Sequence, residues 1–477
     1  MTYEHALFID GHWRAGAEGR SLEVVNPADE RVIGRLALAE AADLEAALEA
    51  AGRRFADWRR VPAHERAAVL SRTAQLLEDR TEEIARLITL EQGKPLAEAR
   101  IEIGRAVEAL AWNAEQATRI CGVVYPELAG GLQQSVVPES IGVVAAFTPW
   151  NFPAFLPARK IAPAVAAGCT IILKAAEEAP GAAIALVRAL TDAGLPDGVV
   201  NLVFGDPAQV SARLIASPVV RKVSFTGSVP VGKTLASQAG AAMKPCTLEL
   251  GGHAPTIFFA DADLERMFPP TAAYKFRNAG QACMAPSRFY VHEDIYGDFV
   301  ERFTAYAAGL KVGDGLAEDI DMGPMANPRR LEAMERLVED AVARGARLTT
   351  GGSRLGNRGY FWAPTVLDAV PDDALIMNQE PFGPIVPISS FRDEAEVVAQ
   401  ANATPYGLAA YVFTRSERTG ARLARSIEAG GIGINSLCPV LSETPMGGIK
   451  DSGYGYEGGR VGLAAFLHNK LVTRALH

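Results

Sequence analysis

Cysteine is scarce. The 477 residues contain five, at positions 121, 169, 246, 283 and 438, and no two stand at CxxC spacing. That excludes a disulfide framework and a cysteine-rich zinc site, no metal is expected, and a reducing compartment fits. Concentrated positive charge is missing as well, with 47 Lys and Arg against 56 Asp and Glu and a net charge of -9. Phosphate backbones recruit Lys/Arg patches, so no nucleic-acid partner is expected. Long hydrophobic runs are also absent. The longest apolar stretches, Ile141–Phe147 and Ala162–Leu173, are too short or too interrupted to span a bilayer. The opening MTYEHALFIDGHWRAG lacks the basic start and apolar centre of a signal peptide. The chain is therefore expected to be cytoplasmic, without a membrane partner. It shows no internal repeat and no low-complexity tract.

What the chain does have is material for large cores: 49% hydrophobic residues, with 45 Gly and 29 Pro. Its length exceeds what one core usually supports, which predicts two or three domains. Residues 40–120 read as amphipathic helices broken at Val61-Pro62 and Gly93-Lys94-Pro95. From 141 the rhythm changes to short β-branched runs (IGVVAAF, CTIILKA, GVVNLVFG, VRKVSFTGS) separated by helical segments. Strands alternating with helices predict a doubly wound parallel sheet, with ligands at the carboxyl ends of the strands. The alternation resumes in HAPTIFFADA, SRFYVHE, LTTGG, FWAPTVL and PIVPISSF, which predicts a second α/β domain. The expected division is a dinucleotide-binding domain from 1–120 and 139–250 and a catalytic domain over 251–445. Residues 121–138 read as a hairpin, and FLHNKLVTRAL near the end reads as an edge strand. Together 121–138 and 446–477 would form a small β element used in oligomer contacts.

One motif is discounted. GYGYEG (Gly453–Gly458) matches GxGxxG, but it follows a glycine-rich loop and not a strand, so helix amides would not meet a pyrophosphate there. It reads as a turn. Three other stretches carry chemistry. In FRNAGQAC (Phe276–Cys283) small residues precede a cysteine, allowing a ligand close to the backbone. A partly exposed thiol near helix N-terminal amides would be easily ionised, so Cys283 is a candidate nucleophile, although such a cysteine read alone is more often structural. In ELGGHAP, Glu249 ends a strand before two glycines and is either a surface turn or a general base for water. In TPWNFP, Asn151 either braces a turn or donates its amide to a developing oxyanion.

TPWNFP, LKAAE, FTGS, ELGG, NAGQAC, EPFGP and PMGGIKDSGYG occur in this order along the chain. In that set, order and approximate spacing the sequence resembles the aldehyde dehydrogenase superfamily over essentially its whole length. The resemblance implies that Cys283 attacks an aldehyde and that Asn151 and the Cys283 N–H hold the oxyanion. Hydride then passes to a nicotinamide, Glu249 activates water against the thioester, and Lys160 serves a proton path. It places Trp150, Lys174, Gly227 and Ser228 on the adenosine ribose and pyrophosphate, Glu380 and Phe382 on the nicotinamide ribose, and Leu250 among the cofactor contacts. Glu177 would accept hydrogen bonds from both ribose hydroxyls and repel a 2′-phosphate, which favours NAD over NADP. A homodimer or homotetramer is implied.

The chain departs from the family at three places. KAAE stands where many relatives have proline after the lysine, PMGG replaces PFGG, and His468 stands where several carry a glutamate on an outer proton path. The last departure puts the role of Lys160 in doubt. Arg159 and Arg277 match arginines of the succinate-semialdehyde dehydrogenase branch and would clamp a carboxylate bidentately. Ser442 is one position from that branch's serine. Met284 follows Cys283, so a neighbouring cysteine for a redox switch is absent. The competing readings are a broad-specificity aldehyde dehydrogenase, a CoA-acylating one, for which Glu249 would be superfluous, and a non-catalytic protein on the same fold.

Overall fold

The computed structural model describes residues 3–126, 131–437 and 440–475. Four helices, Ala41–Trp58, Ala63–Asp79, Thr81–Gln92 and Leu96–Ala117, fill the segment read as helical. Pro62 and Pro95 stand at N-caps, where a missing N–H costs nothing. The break at Arg80 has neither Pro nor Gly to mark it, and the sequence reading missed it.

The first core is built on an eight-stranded sheet. Its spatial order is Gly453–Tyr454, Cys246–Leu250, Val220–Gly227, Val143–Phe147, Thr170–Lys174, Val200–Val203, Leu7–Ile9 and His12–Arg14. The five central strands are parallel and the flanking ones antiparallel. All five residues of Val143–Phe147 and of Thr170–Lys174 are buried, as strands covered by helices on both faces must be. The chain winds outward from Val143–Phe147 through Thr170–Lys174 to Val200–Val203. It then returns to lay Val220–Gly227 on the other side. The strand order reverses at that junction, where an open α/β sheet leaves a crevice at its carboxyl edge.

A second core, from Ala254 to Met446, surrounds a seven-stranded sheet. Its order is Arg347–Thr350, Thr365–Asp368, Ile385–Phe391, Pro286–His292, Ala254–Phe258, Ala409–Phe413 and Gly431–Ile434, parallel except for the first. The two sheets are thus the expected doubly wound α/β architecture.

Leu467–Ala475 pairs antiparallel with Leu132–Ser140 over nine residues, and Val123–Val124 adds a third strand. Residues 127–130 of the expected hairpin lie outside the described residues. The segment 446–477 is not all peripheral: Gly453–Tyr454 extends the first sheet, and Leu463 and Phe466 join its core. A further small sheet, Tyr3–His5, Val32–Ala37 and Ser21–Val25, was not read from sequence. Among the described residues no helix is long and apolar enough to cross a membrane, and no cluster of His, Cys, Asp and Glu could hold a metal ion.

Candidate active site

Two concavities meet at the switch point. A cavity of about 220 Å³ contains Cys283 and Glu249, and a groove of about 760 Å³ contains Trp150, Lys174, Glu177, Gly227 and Ser228. They share Thr226, at the carboxyl end of Val220–Gly227.

The backbone before Cys283 is strained. Asn278, Ala279 and Gly280 take φ of 52°, 52° and 71° in succession. A non-glycine residue in that region costs about 1–3 kcal/mol, so the surroundings must hold it. They do so through hydrogen bonds: Asn278 Nδ2 donates to the carbonyls of Asn151 (3.0 Å) and Gln281 (3.2 Å), and Gln92 Nε2 donates to Asn278 Oδ1 (2.8 Å). The glycines of ELGG have a close-approach role. A Cβ on Gly251 would lie 2.4 Å from Glu380 Oε2, and one on Gly252 would lie 2.6 Å from the Cys283 carbonyl oxygen.

Cys283 lies in a turn that runs into the strand Pro286–His292. The expectation of helix N-terminal amides beside it is therefore corrected. Burial first, then the Glu380 and Glu249 carboxylates, push the thiol up to about 12, so it rests protonated. Burial, followed by repulsion from Glu457, raises Glu249 to about 8. Its Oε1 is buried without a partner among the described residues. Asn151 is buried, 3% exposed, with Nδ2 donating to the Gln281 carbonyl at 3.2 Å.

Lys160 and Arg159 lie on the helix Phe155–Ala166. Glu102 fixes its start, Oε1 accepting from the N–H of Ala154 (2.7 Å) and Phe155 (3.2 Å). Buried Lys94 in turn donates to Glu102 Oε2 (2.5 Å) and to the Asn151 carbonyl (2.7 Å). Lys160 is fully buried on Glu457, and Arg159 Nε donates to Glu457 Oε2 at 3.2 Å. Burial alone would raise Glu457, but the two cations outweigh it and hold the carboxyl below its usual range. His468, by contrast, is half-exposed and 3.4 Å from Glu139. The carboxylate beside Lys160 is thus Glu457, within the discounted GYGYEG. The signal available in sequence was one ionisable residue in an otherwise Gly/Tyr run.

The other expected contacts divide. Glu177 presents its carboxylate in the groove, Oε2 accepting from Lys174 Nζ (2.6 Å) and Oε1 from the Gly205 N–H (3.0 Å). Glu380 accepts from the Gly252 N–H at 3.1 Å and is raised to about 7 by burial. Phe382 packs edge-on against Trp150, ring centres 5.5 Å apart. Leu250 is core, against Gly232, and lines neither concavity. Arg277 lines the small cavity with its guanidinium 5.7 Å from the Phe152 ring. Ser442 lines a separate niche of about 20 Å³ and not the cavity of Cys283. Sequence reasoning also missed Arg330 and Lys275, which hold the EPFGP loop by donating to the Phe382 carbonyl (3.3 Å) and the Gly383 carbonyl (3.0 Å).

The groove suits a dinucleotide. Thr148 Oγ1, Thr226 Oγ1 and Asn327 Oδ1 line it, and each is buried without a partner among the described residues. Three orphaned polar atoms along one groove match a polar ligand that would complete them.

Comparison with known proteins agrees. The model of the "Aldehyde dehydrogenase family" matches residues 13–472. A 4-(hydroxymethyl)benzenesulfonate dehydrogenase of Comamonas testosteroni is 49% identical over 98% of this chain and 97% of its own. The NADP(+) succinate-semialdehyde dehydrogenase of Escherichia coli K12 is 41% identical over 99% and 98%. The crystal structure of succinate-semialdehyde dehydrogenase from Burkholderia pseudomallei superposes with a TM-score of 0.97 at 41% identity, covering 99% of this chain and 98% of that one. On fold, family match and extent of identity, this chain belongs to the aldehyde dehydrogenase family.

Proposed function

We propose that this enzyme oxidises an aldehyde carrying an anionic group at its far end, with NAD, through a thioester on Cys283. Arg277 carries the proposal. Of the arginines lining the cavity, Arg159 is committed to Glu457 and Arg105 to Glu108. Arg277 makes no direct ion pair among the described residues; the acid its charge acts on is buried Glu98, which does not line the cavity. The lining carboxylates cancel: Glu102 pairs with Lys94, Glu457 with two cations, and Glu249 is largely protonated near neutral pH. The free charge in the cavity is therefore positive, and a guanidinium suits a carboxylate or sulfonate. This replaces the symmetric two-arginine clamp with Arg277 as the main anchor.

In the proposed reaction Cys283 gives up its proton to a water in the cavity as sulfur bonds to the carbonyl carbon. Asn151 has one N–H on Gln281 and a second to donate to the oxygen that gains charge. The dinucleotide, when bound, supplies the hydride acceptor. Glu249 then takes a proton from the water that cleaves the thioester and frees the acid. The preference for NAD rests on Glu177, whose anchored carboxylate would repel a 2′-phosphate. Exposed Val124 and Leu471 on the small three-stranded sheet support its use in joining copies of the chain. The free thiols of Cys121, Cys169, Cys246 and Cys283 support a reducing, cytoplasmic setting.

Succinate semialdehyde is the first substrate to try. A sulfonated aromatic aldehyde is the second reading, favoured by Phe152, Phe155 and Tyr274 in the wall and by the 49% identical relative. The test is kcat/KM for both, and for butanal and benzaldehyde, in the wild type and in Arg277→Leu. A lost charge-assisted hydrogen bond of about 1.5–3 kcal/mol predicts a decrease of about 10- to 150-fold for the anionic aldehydes, mostly in KM, with little change for the uncharged ones. Equal losses on both sets would overturn the anionic reading and leave a broad-specificity enzyme.

A further inference from the structure

Lys222 takes no part in the reaction described above, yet it is among the largest fully buried side chains, 2% exposed. No carboxylate pairs with it among the described residues. Its Nζ donates to Thr247 Oγ1 at 2.8 Å and stands 5.2 Å from the Phe466 ring. The parallel register sets Thr226 opposite Glu249 and Ser224 opposite Thr247. Side chains alternate along a strand, so Lys222, Ser224 and Thr226 share one face of the sheet with Thr247 and Glu249. On that face Ser224 Oγ, Thr226 Oγ1 and Glu249 Oε1 are all buried without a partner among the described residues. Orphans of this kind are rare in cores, and three on one face define a line. Thr226 and Glu249 face each other across neighbouring strands roughly 4.8 Å apart, and Ser224 and Lys222 follow along the strand at intervals of roughly 6.7 Å, spans that one or two waters bridge.

We propose that this hydroxyl ladder drains the proton collected by Glu249, and that Lys222 is the acceptor at its inner end. The inference rests on Glu249 being the base of thioester hydrolysis. The protonated carboxyl of Glu249 passes its proton to Thr226 and on to Ser224, each hydroxyl taking one proton and releasing its own. Lys222, when it is in its neutral form, becomes an ammonium held on Thr247, so one proton moves from a carboxylic acid to an amine and no electrons are transferred. Cys246 lies within electrostatic reach of Lys222 and hydrogen-bonds Tyr454, itself half-exposed, which makes the onward way to solvent short.

The surroundings make the transfer nearly balanced. Burial first, then Lys160 on the facing helix, lower Lys222 to about 8, against the opposing pull of Cys246, Glu457 and Cys169. Glu249 also stands at about 8. Lys160 and Glu457, by contrast, are locked on each other. Lys222 thus acts through Glu249 as a positioning residue for the proton.

The test uses pre-steady-state NADH formation in the full-length enzyme. Lys222→Met keeps the volume and removes the acceptor; Lys222→Arg keeps the charge and the contact with Thr247 but cannot cycle a proton. Ser224→Ala breaks the ladder without touching Lys222 and carries the test if either lysine variant fails to fold. In all three, the burst should form at the wild-type rate and the following turnover should slow on the order of tenfold, less than for loss of a general base itself. The pH dependence of that slow phase should lose its inflection near 8, whereas a merely structural lysine would leave the inflection in place. Slow phases and pH profiles that superpose on the wild type in the folded variants would overturn the proposal. Glu249→Gln is measured alongside: neither a burst nor a slowed steady state there means that the assignment of Glu249 has failed, whereas a burst with slow turnover there and wild-type behaviour in the ladder variants overturns the ladder alone.

Discussion

Glu457→Gln is the perturbation whose sign is least intuitive. The side chain is buried, and its charge is shared between Lys160 and Arg159. After burial, Glu457 is the main influence raising Glu249 to about 8, while Arg159 and Lys160 pull it down. The neutral glutamine removes the repulsion and leaves both cations acting on Glu249 alone, so Glu249 should ionise at lower pH. Two charges about 6–8 Å apart at an effective dielectric near 20 interact by about 2–3 kcal/mol, or about 1.5–2 pH units. In the wild type a base that must be ionised gives a kcat that rises with pH through about 8. In the variant the midpoint should move down by about 1.5 units, and the plateau should fall because a weaker base accepts protons less readily. Leaving two buried cations unpaired should also destabilise the fold by about 3–5 kcal/mol, so kcat is read per folded site after a thermal-unfolding check. A midpoint that stays at 8 or rises would refute the coupling of Glu249 to Glu457.

Two further substitutions test other parts of the site. Glu177→Ser should make NADP usable and raise KM for NAD, as measured by kcat/KM with both cofactors; a wild type that already prefers NADP would sink the argument from the carboxylate. Gly280→Ala forces a side chain into φ +71° with its Cβ 2.3 Å from the Gly383 carbonyl. It should cost at least about 1–2 kcal/mol in unfolding experiments and lower kcat by shifting Cys283 against the EPFGP loop; unchanged values of both would mean the loop is not held there.

Much of this site was legible locally. Glu249 and Glu177 each stand in a short polar stretch at or soon after a strand end, where the winding of the sheet exposes side chains to the crevice, and Cys283 stands in a short stretch of small residues that leads into a strand. Glu457 was not legible, because its meaning comes from Lys160, 297 residues earlier, and nothing in GYGYEG announces that contact. The network of Lys94, Glu102 and Asn278 was hidden likewise: buried charges on an amphipathic helix resemble surface charges until their partners are known. The strained run Asn278–Gly280 could be suspected from its composition. What it is braced against, the Gly383 carbonyl, lies a hundred residues away. The break at Arg80 is a packing bend with no breaker residue, and the register of the N-terminal strands depends on pairings that periodicity does not encode.

The most direct measurement is the mass of the peptide containing Cys283 after the Glu249→Gln enzyme has been mixed with NAD and an anionic aldehyde and quenched in acid. The account predicts that this peptide alone gains the mass of the acyl group, at close to one per chain and in step with a burst of NADH. An unmodified Cys283 peptide after that burst, or the acyl mass on another residue, would contradict it.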